Sequence, residues 1–473
     1  MNESQNDSIV IGLDIGSYRV RAVAGSLTEN GEIQIDGYEE APFVFTDSGV
    51  LNGQIINVKH CIDVIGKVLK RLSDKCDSDI SSVNINISGV SIQNTKHGGT
   101  TTSSGNSSII TMRDVGSLVN HVQRSFAARD GHTILHTLPL DFTVNNAPAN
   151  NPIGRVGVQV SGDFCMVTMP KVNLDTVYQT IKSVPSFTTV SGTSPYLSVD
   201  KTILSSLADS YSVLNEEDKK NGIVVVNIGN ELTEISIFHK HGLRYRKVIP
   251  IAGRTITADI AEAFRLQIEE AEKLKLVYSV LLSLESITEE HTILVDGKNG
   301  LPSRQIRVEH IRRIVDLRLR EIALIVSAEM TRSGLRDQLI HGCILTGGSA
   351  NMYQIVDLFS GVLGEEIYTR VGSHLQNIAY VQGEESPHLH NPKYVTAIGL
   401  MLASLKPFDI RFPEYTELLL QPTSYVTPQI PPDTINNNPK QGTKPKVETS
   451  DIFGRWIDRI KRNSPPDVND SYQ

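Results

Sequence analysis

The chain has 473 residues, with 45 Lys plus Arg against 53 Asp plus Glu and a formal net charge of −8. That length calls for several subdomains, and the acidic balance argues against general nucleic-acid binding, which favours basic surfaces. Cys61, Cys76, Cys165 and Cys343 have neither paired nor metal-like spacing, so reduced thiols and no metal centre are expected; Met1 to Ser8 is polar, no secretory leader is expected, and no apolar run approaches a membrane span.

In chain order, Ile9 to Ser17 is a buried-type strand that ends in Asp14, Gly16 and Ser17. An alternating segment, Arg19 to Leu27, follows. Apolar spacing predicts a helix over Val58 to Leu72, and Val83 to Ile87 reads as a strand that opens a block of different texture. Gly98 to Ser108 has little to bury and reads as a loop or loose hairpin. A helix over Arg113 to Ala128 and a strand over His132 to Leu140 come next.

The plan of the N-terminus then recurs. Gly222 to Thr233 is a second apolar strand ending in a glycine turn at Asn227, Gly229 and Asn230, and Glu234 to Phe238 alternates after it. A helix-rich stretch from Tyr245 to Leu324 is interrupted at Thr292 to Arg307 by an expected hairpin around Asp296-Gly297. Within that stretch, Glu272 and Lys275 fall on one helix face. Gly342 to Ala350 is a strand with a turn at Gly347 and Gly348, followed by helical spacing over Met352 to Leu363.

Each glycine turn lets backbone N–H groups approach phosphate oxygens without a Cβ in the way. A diglycine between strand and helix offers flat backbone on which a base can stack. Any one of these is an ordinary turn, and the charged helix is an ordinary solvated surface. The four in order point to a duplicated domain closing on a nucleotide.

Beyond Lys406, eight prolines from Pro407 to Pro445 punctuate a polar stretch that cannot bury enough to offset chain entropy, and a flexible tether is expected there. It ends at Thr449 to Arg462, where Ile452, Phe453, Trp456, Ile457 and Ile460 form one helical stripe flanked by Arg455 and Arg459. Such a helix is marginal in water and gains structure at an anionic lipid interface.

This ordered set resembles the actin/heat-shock-chaperone/sugar-kinase superfamily, and within it the FtsA family of bacterial cell-division proteins. Leu197-Ser198-Val199-Asp200, Ser210-Tyr211-Ser212-Val213-Leu214, Lys247 to Gly253 and Tyr394 to Leu400 carry the closer likeness. The resemblance implies an α/β, duplicated actin-like (ribonuclease-H-like) two-lobed fold. Its parts would be subdomain 1A over 1–82, the FtsA-type insertion 1C over 83–163, and a return to 1A over 164–203. Subdomain 2A would follow over 204–255, the cap 2B over 256–324, 2A again over 325–372 and the end of 1A over 373–406. The tether would span 407–448, the amphipathic helix 449–462 and a polar tail 463–473. The family pattern is shorter near Ser186 to Ser194, so a loop insertion is expected there.

The resemblance also implies a function: an adaptor that self-associates into filaments on the cytoplasmic face of the inner membrane at the division site. It would be held there peripherally through anionic lipid, tether the tubulin-like FtsZ by its C-terminal peptide at Arg304 and Arg318, and recruit later division proteins through 83–163. Mg-ATP would sit among Asp14, Gly16, Ser17, Asn227, Gly229, Thr233, Glu272, Lys275, Gly347 and Gly348. The second turn departs from the family's Asp-Ile-Gly-Gly-Gly-Thr. Asn227 lacks the charge that favours a dication, Asn230 and Glu231 crowd the turn, and Glu231 repels a triphosphate if it points inward. Weakened binding and at most a very weak ATPase are expected. Two other classes compete. An actin-like adaptor of pilus assembly shares the nucleotide site, and a sugar-kinase-like phosphotransferase needs an Asp general base for which no motif stands out.

Overall fold

The computed structural model describes residues 9–44, 48–103, 108–187, 194–281, 291–295, 303–373, 379–380, 389–406, 419–420 and 422. The chain divides into Met1–Tyr425 and Val426–Gln473. The second unit, with the expected amphipathic helix and most of the expected tether, lies outside the described residues, as do Asp296-Gly297 and residues 188–193 of the expected loop insertion.

The first lobe opens with an antiparallel meander of β1 (Val10–Ile15), β2 (Arg19–Leu27) and β3 (Ile33–Pro42). A small hairpin, β4 (Val50–Leu51) and β5 (Gln54–Ile55), leads into α1 (Val58–Cys76). Asn57 caps α1 by accepting the His60 N–H at 3.1 Å, and Cys61, Val64, Ile65, Val68, Leu69 and Leu72 form its buried stripe. Leu69→Ala in that stripe is expected to cost about 2–5 kcal/mol.

Next comes β6 (Ser82–Ile87), which lies parallel to β1 with Gly12 opposite Asn84 and Leu13 opposite Ile85. This strand therefore belongs to the first sheet, and the insertion expected from 83 begins only after Ile87. The insertion is a separate sheet of β7 (Gln93–Thr102), β8 (His132–Val144), β9 (Ala147–Ala149) and β10 (Gln159–Pro170), in the order β7-β10-β8-β9. Helix α2 (Met112–Ser125) packs on it through Leu118, Val119 and Val122. Its start is fixed by Asp114, whose carboxylate accepts the Thr111 N–H at 2.8 Å.

Where a loop or loose hairpin is expected over Gly98 to Ser108, the chain is strand as far as Thr102, because β7 is an edge held by backbone pairing to β10 rather than by burial. Residues 104–107 are outside the described set.

After α3 (Lys171–Lys182) and β11 (Ser198–Leu204), α4 (Ser205–Val213) and α5 (Glu216–Asn221) lead to the second lobe. There β12 (Ile223–Ile228), β13 (Thr233–His239) and β14 (Gly242–Ile249) repeat the antiparallel meander. They are followed by α6 (Gly253–Phe264), α7 (Ile268–Leu281), the hairpin β15 (Thr292–Val295) with β16 (Arg304–Arg307), and α8 (Val308–Arg332). The chain closes this lobe with β17 (Cys343–Thr346), α9 (Ile355–Leu363) and β18 (Thr369–Val371), and returns to the first through β19 (Ala379–Tyr380) and α10 (Val395–Leu405).

The two large sheets run β11-β6-β1-β2-β3-β19 and β14-β13-β12-β17-β18. In each, a central strand has an antiparallel meander on one side and two parallel strands on the other. The duplication read from two glycine turns thus extends to five strands of each sheet. One apolar core runs from the first lobe onto Ile223, Val225 and Ile344 of the second sheet, another lies within the second lobe, and the insertion has a third.

One expectation is corrected at the end of the first unit. Leu419 and Leu420, inside the stretch expected as a flexible tether from 407, are 2% and 3% exposed and join the cores of the insertion and the first lobe. His136 fixes them. Its Nε2 accepts the Leu204 N–H at 3.0 Å, which leaves Nδ1–H to donate to the Leu420 carbonyl at 2.7 Å.

Cys61, Cys165 and Cys343 are buried free thiols pushed up to about 12 by burial.

Candidate functional site

The first turn sits at the end of β1. Its Gly16 N–H donates to Arg19 O at 3.1 Å, which closes the hairpin to β2. Asp14 is buried, its Oδ1 accepting the Asn86 amide at 2.9 Å and its Oδ2 lying 3.5 Å from Arg21 Nη1. Burial raises its pKa and Arg21 opposes that. Asn86 also accepts the Ile15 N–H at 2.8 Å, so one β6 side chain fixes both the strand end and the carboxylate. The Ser17 carbonyl accepts the Ser48 hydroxyl at 2.8 Å.

The second turn has the same backbone, with Gly229 N–H donating to Leu232 O at 2.9 Å. Its side chains differ. Asn227 donates to Asp209 Oδ2 of α4 at 2.8 Å and lies 3.3 Å from the Thr396 hydroxyl of α10. Thr396 in turn donates to Asp209 Oδ1 at 2.7 Å. Burial of Asp209 (1% exposed) pushes its carboxyl up to about 7. Thr233, expected among the phosphate ligands, is fully buried and donates its hydroxyl to the Ile251 carbonyl at 2.7 Å. That carbonyl lies two residues before Gly253, so the hydroxyl ties the second turn to the start of α6.

Glu231 does not point freely into the cleft. Its Oε2 accepts the Asn52 N–H of the first lobe at 2.7 Å, and its Oε1 lies 3.0 Å from Arg254 Nη1. Burial raises its pKa.

The remaining motifs converge on Gly253, at the start of α6. A Cβ there would come within 2.7 Å of Ser349 Oγ, 3.1 Å of Gly229 O and 3.6 Å of Lys275 Nζ. The expected Glu272–Lys275 face is an interior ion pair at 2.7 Å, not solvated surface. Lys275 also donates to Gly253 O at 3.0 Å and Thr257 Oγ1 at 2.8 Å, so its three hydrogens match three acceptors. Burial lowers the Lys275 pKa against the pull of Glu272.

The diglycine divides its labour. Gly347 has φ 86 and a Cβ there would lie 2.4 Å from Asn227 Oδ1, whereas a Cβ on Gly348 would meet nothing within 4 Å. The first glycine permits close approach to the second turn and the next leaves an open backbone face. A short 3-10 turn, Gly348–Asn351, comes before α9, so the helix expected from Met352 starts at Ile355.

These residues fit a nucleotide unequally. The Gly348 backbone face is open to a ligand, whereas Gly253 and Lys275 are packed and bonded among themselves. The phosphate end does not match a Mg-triphosphate, because Asn227 is neutral and committed to Asp209, Asp14 is tied to Asn86 and Arg21, and Glu231 already spans the cleft. Among the described residues, no group of three or more His, Cys, Asp or Glu side chains is placed to hold a metal ion.

Arg304 and Arg318 are not one open surface. Arg318 is 9% exposed and grips Asp259 with Nε and Nη2, both at 2.7 Å, besides pairing with Glu321. Arg304 is exposed on β16 and donates to the Phe264 and Arg265 carbonyls. A cavity of about 410 Å³ lies between α8 and α9, with Arg313, Arg320, Asp316 and Asp357 in its lining.

Comparison with known proteins decides the family. The family model for cell division protein FtsA matches residues 224–399, and that for the SHS2 domain inserted in FtsA matches 89–168. The cell division protein FtsA of Pseudomonas aeruginosa is 27% identical over 413 residues, covering 86% of this chain and 91% of that protein. That of Escherichia coli K12 is 27% identical over 409 residues, covering 85% and 91%.

The chain belongs to the FtsA family.

Its fold is actin-like. A solved PilM-PilN type IV pilus biogenesis complex superposes with a TM-score of 0.58 at 14% identity, covering 85% of this chain and 100% of that one. At that identity the likeness shows the fold alone. The SHS2 match at 89–168 agrees with the insertion beginning after β6. Among the described residues, no helix is long and apolar enough to cross a membrane.

Sequence reading missed Asn52, Asn86, Asp209, Arg254 and Thr396. Two of them carried a signal: Asn86 is one of two asparagines alternating with apolar residues in β6, and Asp209 is the one acid in α4, all of whose residues are buried.

Proposed function

We propose that this FtsA-family chain is a division adaptor whose actin-like body serves assembly rather than turnover. The observation that carries the reading is the second turn, where a neutral Asn227 is bonded to Asp209 and no carboxylate is free to organise a metal and its waters. Backbone at Gly16 and Gly229 retains the geometry of a phosphate site, so Mg-ATP binds weakly and is hydrolysed negligibly.

The adaptor forms filaments, recruits later division proteins through its insertion, and binds the acidic C-terminal peptide of FtsZ at the second lobe. Arg304 makes the direct contact there, and Arg318 acts by holding α8 to α6 through Asp259. Ile452 to Ile460 attach the protein peripherally to anionic lipid on the cytoplasmic face of the inner membrane. Each large apolar side chain contributes at most about 1.5–3 kcal/mol when fully buried, and ordering the helix costs about 1–2 kcal/mol per residue. One copy therefore binds reversibly, and filaments bind cooperatively.

Co-sedimentation with anionic vesicles tests this. Full-length protein should pellet with vesicles and draw FtsZ down with it, and Trp456→Glu should abolish both. Trp456→Glu protein that pellets normally would remove this helix as the anchor. ATP turnover at the rate of an ordinary actin-like ATPase would overturn the assembly reading.

A further inference from the structure

Glu231 stands where the family resemblance has a glycine, and its carboxylate is used unlike that of a surface acid. It is 6% exposed and holds two donors, the Asn52 backbone N–H from the first lobe and the Arg254 guanidinium from α6. A backbone N–H with a guanidinium is the donor set that phosphate oxygens take.

Asn52 is a firm point of attachment. It and Gly53, with φ of 50 and 80, form the tight turn between β4 and β5, which packs against the Ser88–Gly89 backbone. Ser88 in turn donates its hydroxyl to Glu234 Oε2 at 2.7 Å, and Arg246 lies 2.7 Å from the other oxygen of that carboxylate. Two acids of one hairpin thus grip two adjoining points of the first lobe. Removing the Glu231 carboxylate leaves the Asn52 N–H without its acceptor and one link between the lobes undone.

We propose that Glu231 is a built-in anion of the phosphate site: it closes the lobes without nucleotide, and a triphosphate must displace it to reach the second turn. This rests on reading the cleft as a nucleotide site, so its test has one arm that needs no nucleotide.

In hydrogen exchange on the full-length protein without nucleotide, the Asn52 amide should be protected in the wild type. Glu231→Ala should speed its exchange at least tenfold, while Glu231→Gln, which keeps an acceptor oxygen, should give an intermediate rate and guards against a folding artefact. In the second arm, trinitrophenyl-ATP with Mg²⁺ should bind Glu231→Ala at least tenfold more tightly than wild type. Equal Asn52 exchange in wild type and Glu231→Ala would overturn the clamp whatever nucleotide does. A Glu231-dependent clamp with equal probe affinity would overturn displacement. A Glu231-dependent clamp with no probe binding to any variant would uphold closure and sink the nucleotide reading instead.

Discussion

The two glycine turns share a backbone and differ in what their side chains are for. Both close with the same glycine N–H to carbonyl bond, at 3.1 Å and 2.9 Å, on sheets of matching topology. In the first, Asp14 keeps its carboxylate and is positioned within its own lobe by Asn86 and Arg21. In the second, Glu231 and Glu234 reach across to the first lobe, at Asn52 and Ser88, and Asn227, bonded to Asp209 of α4, lies 3.3 Å from Thr396 of α10. The matching topology gives both turns one backbone frame, and in the second the side chains join the lobes.

The largest effect should come from restoring the family's acid at the second turn alone. Asn227→Asp would place a carboxylate within hydrogen-bond distance of buried Asp209, and two carboxylates sharing one site cannot readily both ionise. We expect a loss of about 3–5 kcal/mol in denaturant unfolding at pH 8, the scale of an uncompensated buried charge. Adding Asp209→Asn, which swaps the acid and the amide, should recover most of it. A double variant no more stable than Asn227→Asp alone would show that the two side chains are not a coupled pair.

A smaller effect per pH unit separates the joint from the insertion. The Asp209 carboxyl, ordinarily near 3.8, is pushed up to about 7 by burial. The folded chain therefore holds a proton that the unfolded chain has lost, and stability falls as pH rises from about 4 to about 7, by at most about 1.4 kcal/mol per unit. His136 runs the other way. Burial pushes it from 6.5 down to about 4, so its contribution is complete above 6.5 and is lost as pH falls through 4. Stability curves should lose the descending component in Asp209→Asn and the ascending one in His136→Phe. Unchanged curves in both variants would remove these groups as the cause.

What could be read beforehand was what local rules determine. Glycine turns after apolar strands, the i, i+3 pair Glu272 and Lys275, and the helical spacing of α1 and α9 all depend on neighbours in sequence. The joint does not: Asn52, Ser88 and Thr396 meet the second turn only through the closed fold. Leu419 and Leu420 were hidden because a Pro-rich texture averages over two buried residues. Strand β7 was hidden because backbone pairing, not burial, makes it a strand. Arg318 was legible in retrospect. It lies on the buried stripe Ile311, Val315, Arg318, Leu319 and Ile322, where an arginine needs an internal acid such as Asp259.

The smallest effect distinguishes a clamp from a salt bridge. Arg254 is 41% exposed on its side chain while Glu231 is 4% exposed on its own. An ion pair with one partner in solvent contributes little, so Arg254→Ala should cost about 0.5 kcal/mol. The Asn52 N–H bond to Glu231 is made by the carboxylate itself, and closure should survive loss of the guanidinium. Hydrogen exchange at Asn52 should then be within about twofold of wild type in Arg254→Ala, on the order of 0.4 kcal/mol by RT ln 2. Exchange in Arg254→Ala as fast as in Glu231→Ala would mean that Arg254 orients the acid, and the second turn would then be joined to the first lobe by a three-residue relay rather than by Glu231 alone.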